Sequence, residues 1–213
     1  LDDIIEIARV SGFNVDKIDR VPSSYLGSWG APVETVASAY SIFPNGGQRF
    51  RPYYIQSIKD RKGKILWENG PIPYRATAAG PAWDVSRILE QTNKIGTGRA
   101  IRSKYGFRKP SAGKTGTTND FKDAWYAGYT SSLSCAVWVG LDTPSPILKG
   151  GYGSTLALPI WVDIMKSADP LGYKSNAISP ATAELVTPDT PDQLPLNPNL
   201  RKHEIRDALP LDQ

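Results

Sequence analysis

The sequence predicts an α+β fold, in which helices and strands occur in separate runs rather than as repeated strand–helix–strand units. Two observations support this class. The 213 residues are 40% hydrophobic and 22% charged, a composition that provides a packed core and excludes global disorder. Hydrophobic periodicity then gives the order helix, hairpin, helix, sheet, helix, without an internal repeat.

Two helices and a hairpin are predicted in the first third of the chain. Apolar residues at helical spacing predict a helix over Leu1–Val10. A second helix is predicted to begin at Pro32, because proline is tolerated in a first turn, and to end at Pro44-Asn45-Gly46-Gly47. Two short β-rich runs, Tyr53–Asp60 and Lys64–Glu68, predict a hairpin around the intervening turn.

The later part of the chain predicts a sheet between two helices. The helices are expected over Pro81–Ile95 and Leu156–Ala168, and three strands between them over Gly113–Thr118, Ala124–Tyr129 and Leu133–Leu141. The last strand is almost wholly apolar, which indicates burial on both faces of the sheet. The side chains predicted to be buried on the two helices are Val85, Ile88, Leu89, Ile160, Trp161, Ile164 and Met165.

Composition excludes several classes of protein. The chain has one cysteine and one histidine, Cys135 and His203, which excludes an intrachain disulfide and makes a Ser-His-Asp triad or a clustered metal site untenable. Cys135 is interpreted as a small buried hydrophobic residue. No apolar run reaches the ~18 residues that a membrane span needs. We therefore expect no metal site built from clustered cysteine or histidine ligands.

The charge of the chain is unevenly distributed. Net charge is +4, and the stretch 96–114 contains six Lys or Arg residues and no acid. Such a stretch suits an anionic partner, such as a phosphate or the carboxylate of a peptide, but a solvated basic loop fits equally well. Arg99 in particular is expected either to line a cleft or to lie exposed. No nucleic-acid-binding motif accompanies the stretch, so no nucleic-acid partner is expected.

The most informative segment is the run Lys114-Thr115-Gly116-Thr117. It is not a phosphate-binding P-loop, because Arg108 stands where that motif needs glycine. The formal S-x-x-K pattern from Ser111 to Lys114 is interpreted as coincidence, because the motif works on a helix and this segment is predicted to be a strand.

A K-T-G-T strand has groups that acyl transfer can use, although an ordinary polar turn followed by a strand explains the same four residues. The absent side chain at Gly116 lets a substrate backbone approach the strand closely. Lys114 supplies a positive charge and a proton relay, and the hydroxyl of Thr117 can bind a substrate carboxylate. Backbone N–H groups of the strand can stabilise a developing oxyanion.

Longer stretches around this run resemble the transpeptidase domain of class A, bifunctional penicillin-binding proteins. The resemblance covers roughly residues 1–168 and includes K-T-G, a motif that this superfamily combines with S-x-x-K. The stretches that resemble the family are Leu26-Gly27-Ser28, 32–40, Asn45-Gly46-Gly47, 96–100, 112–130, 137–140 and Pro159-Ile160-Trp161.

The resemblance implies the serine penicillin-recognising α+β fold, with an antiparallel sheet flanked by helices. It implies a D,D-transpeptidase that cross-links peptidoglycan stem peptides through a serine acyl-enzyme and reacts with β-lactams, without metal or cofactor, on the periplasmic face of the bacterial inner membrane. Lys114 would be catalytic, and the substrate-binding residues would be Thr115, Gly116, Thr117 and Thr118.

One departure from the family is large. The sequence has no S-x-N triplet and no S-x-x-K beyond the one dismissed above. Residues 1–168 are therefore expected to be the C-terminal part of a transpeptidase domain, followed by a proline-rich tail over 169–213. The missing N-terminal half would supply the nucleophile and cover the second face of the strand Leu133–Leu141, and an upstream segment would anchor the protein. The alternative is a non-catalytic module that binds a peptide carboxylate.

Overall fold

A computed structural model describes residues 1–180 of the chain. It contains five α-helices, joined by short 3₁₀ turns: α1 (Asp2–Val10), α2 (Val33–Tyr40), α3 (Ala79–Lys94), α4 (Ala100–Ser103) and α5 (Gly153–Ala168). All four predicted helices are confirmed, with ends that differ by at most four residues. The short helix α4 was not predicted.

The strands form three antiparallel sheets. The predicted hairpin is confirmed as β2 (Ser57–Lys59) and β3 (Ile65–Glu68), although its first strand is shorter than predicted. A pair that was not predicted joins β1 (Gln48–Phe50) to β4 (Pro73–Arg75). The third sheet has the order β5 (Ala112–Thr117), β6 (Asp123–Tyr129), β7 (Ser134–Gly140), which confirms the three predicted strands.

Helix α5 packs on one face of the three-stranded sheet. Its fully buried Trp161 lies edge-on against Phe107 and Tyr126, with ring centroids 5.9 and 5.1 Å away. Burial of this apolar surface is the main stabilising contribution on this side. Other buried members of the cluster are Ile101, Val137, Ala157, Leu158, Val162 and Met165.

Helices α2 and α3 pack on the opposite face, and two buried polar side chains join α3 to the sheet. Ser86 pairs with the hydroxyl of Tyr129 at 2.7 Å, and the amide oxygen of Asn93 accepts the hydroxyl of Tyr126 at 2.8 Å. Burial raises the pKa of both tyrosines, so both remain neutral donors or acceptors. These bonds satisfy polar groups that would be costly if left unpaired.

Several predicted burials are wrong. Ile88, Ile160 and Ile164 are exposed, because each helix is rotated so that Leu89 on α3 and Trp161 on α5 face the sheet. On β7 only Val137 is buried, because the strand lies at the edge of the sheet and pairs only with β6 among the described residues.

The expectation that this chain leaves the second face of the last strand uncovered is wrong in part. Helix α2 packs against that face of β7, where the hydroxyl of Ser134 donates to the carbonyl oxygen of Ala37. The cover is incomplete, because Ala136 and Trp138 on the same face are only half-buried.

The segment after α5 is irregular up to Pro180, as predicted. It crosses the end of the sheet, where Ile178 is buried beside Leu89 and Tyr129. The tail boundary at residue 168 stays a prediction, and residues 181–213, with His203, lie outside the described part. Within residues 1–180, no helix has the length and apolar character that crossing a bilayer requires.

Candidate active site

The K-T-G-T run forms most of β5, which leaves one strand edge free of partners in the described sheet. The N–H of Thr118 donates to the carbonyl oxygen of Asp123 at 3.1 Å. Backbone bonding alternates along an antiparallel pair, so the N–H and C=O groups of Thr115 and Thr117 point away from β6. No strand of the described sheet pairs with these groups, so an added extended chain can.

Lys114 lies exposed beside this free edge. Its Nζ donates to the carbonyl oxygen of Thr115 at 2.9 Å, so the ammonium group lies over the strand backbone. Gly116 is on the same face of β5, and a Cβ there would lie 3.1 Å from the Cβ of Trp125. The missing side chain keeps this stretch of strand flat and accessible.

The two threonines of the motif point to the other face and are each held by one neighbour. The hydroxyl of Thr115 bonds the hydroxyl of Thr97 at 2.8 Å, which ties the loop after α3 to the strand. The oxygen of Thr117 accepts the backbone N–H of Gly153 at 3.0 Å. The hydroxyl proton of Thr117 is therefore still available to a substrate acceptor.

Thr118 lies just after the strand, and its hydroxyl closes the turn between β5 and β6. It donates to a carboxylate oxygen of Asp123 at 3.0 Å and accepts the backbone N–H of Asp123 at 2.8 Å. The other carboxylate oxygen accepts the indole N–H of Trp138 at 2.8 Å. Asp123, the first residue of β6, thus links the end of the K-T-G-T strand to Trp138 on β7.

This turn has an unusual backbone. Asp120 and Phe121 both have positive φ angles, 61° and 56°, which non-glycine residues seldom adopt. The turn is held by an edge-on contact of Phe121 with Tyr152, with ring centroids 5.0 Å apart. A bond from the N–H of Ile147 to the carbonyl oxygen of Phe121, at 2.9 Å, links it to the segment before α5.

Asp123→Ala is expected to lower the free energy of unfolding by about 1–3 kcal/mol, because the indole N–H of Trp138 and the hydroxyl of Thr118 lose their acceptor. Urea unfolding of the chain, followed by circular dichroism, measures the change. The control is Asp142→Ala, at an exposed aspartate just after β7. Equal losses in the two variants would contradict the role given to Asp123.

Gly153→Ala is expected to destabilise the chain by about 1–3 kcal/mol, the usual cost of overpacking. A Cβ at Gly153 would collide with the backbone carbonyl oxygens of Trp125 and Gly116, neither of which can rotate away. The first turn of α5 must then move off the strand and lose its bond to Thr117. The control is Gly80→Ala, where a Cβ meets nothing within 4 Å. Thermal unfolding that shifts equally in both variants would refute the explanation.

The predicted site residues Lys114, Thr115, Gly116 and Thr117 lie on one strand. Thr118 follows the strand, and its hydroxyl bonds Asp123 in the turn. Sequence analysis missed Thr97 and Gly153, which bond the motif from distant parts of the chain. It also missed Asp123, which bonds Thr118 across the turn. Residues 1–180 contain no group of three His, Cys, Asp or Glu side chains suited to a metal, and independence from metals and cofactors stays a prediction.

Comparison with known proteins identifies the class of this domain. The family model described as "Penicillin binding protein transpeptidase domain" matches residues 21–166. Penicillin-binding protein 1A of Neisseria lactamica is 36% identical over 165 residues, covering 75% of this chain and 20% of that protein. Penicillin-binding protein 1A of Pseudomonas aeruginosa is 31% identical over 241 residues, covering 84% and 29%.

Solved structures agree with these matches. Penicillin-binding protein 1A of Haemophilus influenzae superposes with a TM-score of 0.75 at 25% identity, over 83% of this chain and 32% of that one. The PonA1 protein of Mycobacterium tuberculosis, solved with penicillin V, gives 0.69 at 27% identity, over 85% and 52%. The chain thus belongs to the penicillin-binding protein transpeptidase family, and to its class A type. It spans between a fifth and a third of the two curated relatives named above.

Proposed function

We propose that the complete protein containing this chain is a serine-type D,D-transpeptidase that cross-links peptidoglycan stem peptides and is acylated by β-lactams. The observation that supports this most directly is the free edge of β5, where Lys114 lies exposed and the backbone of Thr115 and Thr117 has no strand partner. An extended peptide can pair with this edge as an additional strand.

Each group at the edge has a role in this reaction. A serine oxygen attacks the carbonyl carbon of the donor peptide, and the N–H of Thr117 stabilises the oxyanion that forms. The amide C–N bond then breaks, and the departing amine takes the serine proton through Lys114. The Thr117 hydroxyl donates to the terminal carboxylate, with Thr115, Gly116 and Thr118 shaping the strand. An acceptor amine attacks the resulting ester and frees the serine.

The serine itself is proposed to come from outside this chain, in the N-terminal half of the domain. The sequence lacks S-x-N, and its one S-x-x-K pattern begins at Ser111, which is buried beside Asn93 rather than on a helix facing Lys114. The open edge of β7 and the half-buried Trp125 and Trp138 mark where further strands and helices would pack. We also place the protein at the periplasmic side of the inner membrane, anchored upstream.

A second candidate is a module that binds a peptide carboxylate at β5 without catalysing a reaction. It is favoured because the sequence has no S-x-N triplet and no S-x-x-K on a helix. Incubating the complete protein with a fluorescent penicillin and separating it under denaturing conditions distinguishes the two. A covalent label that unlabelled penicillin blocks is expected. Reversible binding of peptide without any covalent label would support the module instead.

A further inference from the structure

Four cationic side chains share one open cavity of about 480 Å³ next to the K-T-G-T strand. We call it the basic cavity, and it is lined by Lys94, Arg99, Arg102, Ser103 and Arg108. Other members of the basic stretch are engaged elsewhere. Lys109 pairs with Asp169, and the ammonium of Lys104 lies 5.3 Å from the ring centre of Tyr105.

The charges in the basic cavity are largely uncompensated. Lys94 has Glu90 as a carboxylate partner at 3.0 Å. Among the described residues, the guanidinium groups of Arg99, Arg102 and Arg108 have none within ion-pair distance. Like charges held together repel one another, and a bound anion would relieve that repulsion. Guanidinium groups bind planar oxyanions with paired hydrogen bonds.

The frame of the basic cavity is well fixed. The hydroxyl of Ser103 donates to the carbonyl oxygen of Arg99 at 3.1 Å, and Arg102 donates to the carbonyl oxygen of Arg108 at 3.3 Å. Ile101, between them, is fully buried in the core beneath α5. The three arginines therefore extend from a rigid base, which lowers the entropic cost of holding a ligand.

The basic cavity lies beside the peptide-binding edge. Thr97 bonds Thr115 through their hydroxyls at 2.8 Å. Arg99 follows Thr97 by two residues, so their Cα atoms are at most about 7.6 Å apart. A peptide paired with β5 advances about 3.3 Å per residue. A peptide paired with β5 at Thr115 therefore passes close to the segment 97–99, where the basic cavity begins.

We propose that the basic cavity binds a side-chain carboxylate of the peptide substrate, as a second anchor beyond the K-T-G-T edge. This deepens the proposed function and rests on it for the position of the peptide. The open cavity can admit a side chain that ends in a carboxylate, and the adjoining strand edge is the one proposed to bind extended peptide. The arginines set which peptides bind, while β5 holds the reacting end.

The test compares two fluorescent peptides that end in two D-amino acids. One has glutamate at the second or third position before them, and the other has glutamine. An exposed ion pair contributes a factor of about 1.5 to 5, so three arginines should favour the glutamate peptide about tenfold in fluorescence anisotropy with the complete protein. The preference should weaken as salt rises. Inorganic phosphate that displaces both peptides equally would contradict the proposal.

Variants assign the preference to these side chains. The triple variant R99Q/R102Q/R108Q should lose it, and R99K/R102K/R108K should retain part of it. The control R61Q/K62Q/K64Q removes the same charge from an exposed hairpin turn and should keep the full preference. Circular dichroism checks that each variant folds. Equal binding of both peptides by the wild type would refute the basic cavity as their anchor, whereas a wild type that penicillin fails to label would refute only the proposed reaction.

Discussion

Lys114→Ala is expected to slow acylation of the complete protein by a fluorescent penicillin by at least about 10²-fold, the usual effect of losing one proton-transfer or charge-stabilising group. The Lys114 ammonium lies at the free edge of β5, 2.9 Å from the carbonyl oxygen of Thr115. The proposed step needs both a positive charge and a proton carrier at this place. Rate constants of labelling, measured from a time course on denaturing gels, give the size of the effect.

Two further variants separate the chemistry of Lys114 from its charge. Lys114→Arg keeps a cation but cannot release a proton, so it should acylate at a rate between wild type and Lys114→Ala. Lys149→Ala removes an exposed lysine from the segment before α5 and should label at the wild-type rate. Unchanged labelling of folded Lys114→Ala would remove Lys114 from the mechanism.

The strands were predictable from the sequence because their signal is local. Runs of β-branched and aromatic residues between turn residues predicted β5, β6 and β7 to within one residue at each end. The burial of their side chains could not be predicted in the same way. The strand Leu133–Leu141 is apolar enough to be buried on both faces, yet its degree of exposure depends on its edge position in the sheet, which the pattern does not encode.

The buried face of α3 shows why helix orientation was harder to predict. Hydrophobic spacing selected Ile88 for the core, but the face that packs on the sheet includes Ser86 and Asn93. These polar residues are acceptable inside only because the hydroxyls of Tyr129 and Tyr126 meet them there. The partners are more than 30 residues away in sequence, so no local pattern reveals them.

The same distinction applies to the candidate site. Lys114, Thr115, Gly116, Thr117 and Thr118 are contiguous and could be found as a motif with its flanking sequence. The groups that hold them are not contiguous, since Thr97 precedes Thr115 by 18 residues and Gly153 follows Thr117 by 36. A motif in one sequence therefore finds the proposed reacting groups, whereas the groups that support them require the three-dimensional structure.

The centre of the core provides the largest expected loss of stability. Trp161→Ala should lower the free energy of unfolding by about 3–5 kcal/mol, because it empties a fully buried site between Phe107 and Tyr126. Trp161→Phe should cost less, since it keeps an aromatic ring and removes an indole N–H that has no acceptor among the described residues. The neighbouring Ile160→Ala, at a side chain 44% exposed, should cost under about 1.5 kcal/mol. Urea unfolding followed by far-ultraviolet circular dichroism measures all three, and a Trp161→Ala loss no larger than that of Ile160→Ala would show that α5 does not pack on the sheet through Trp161.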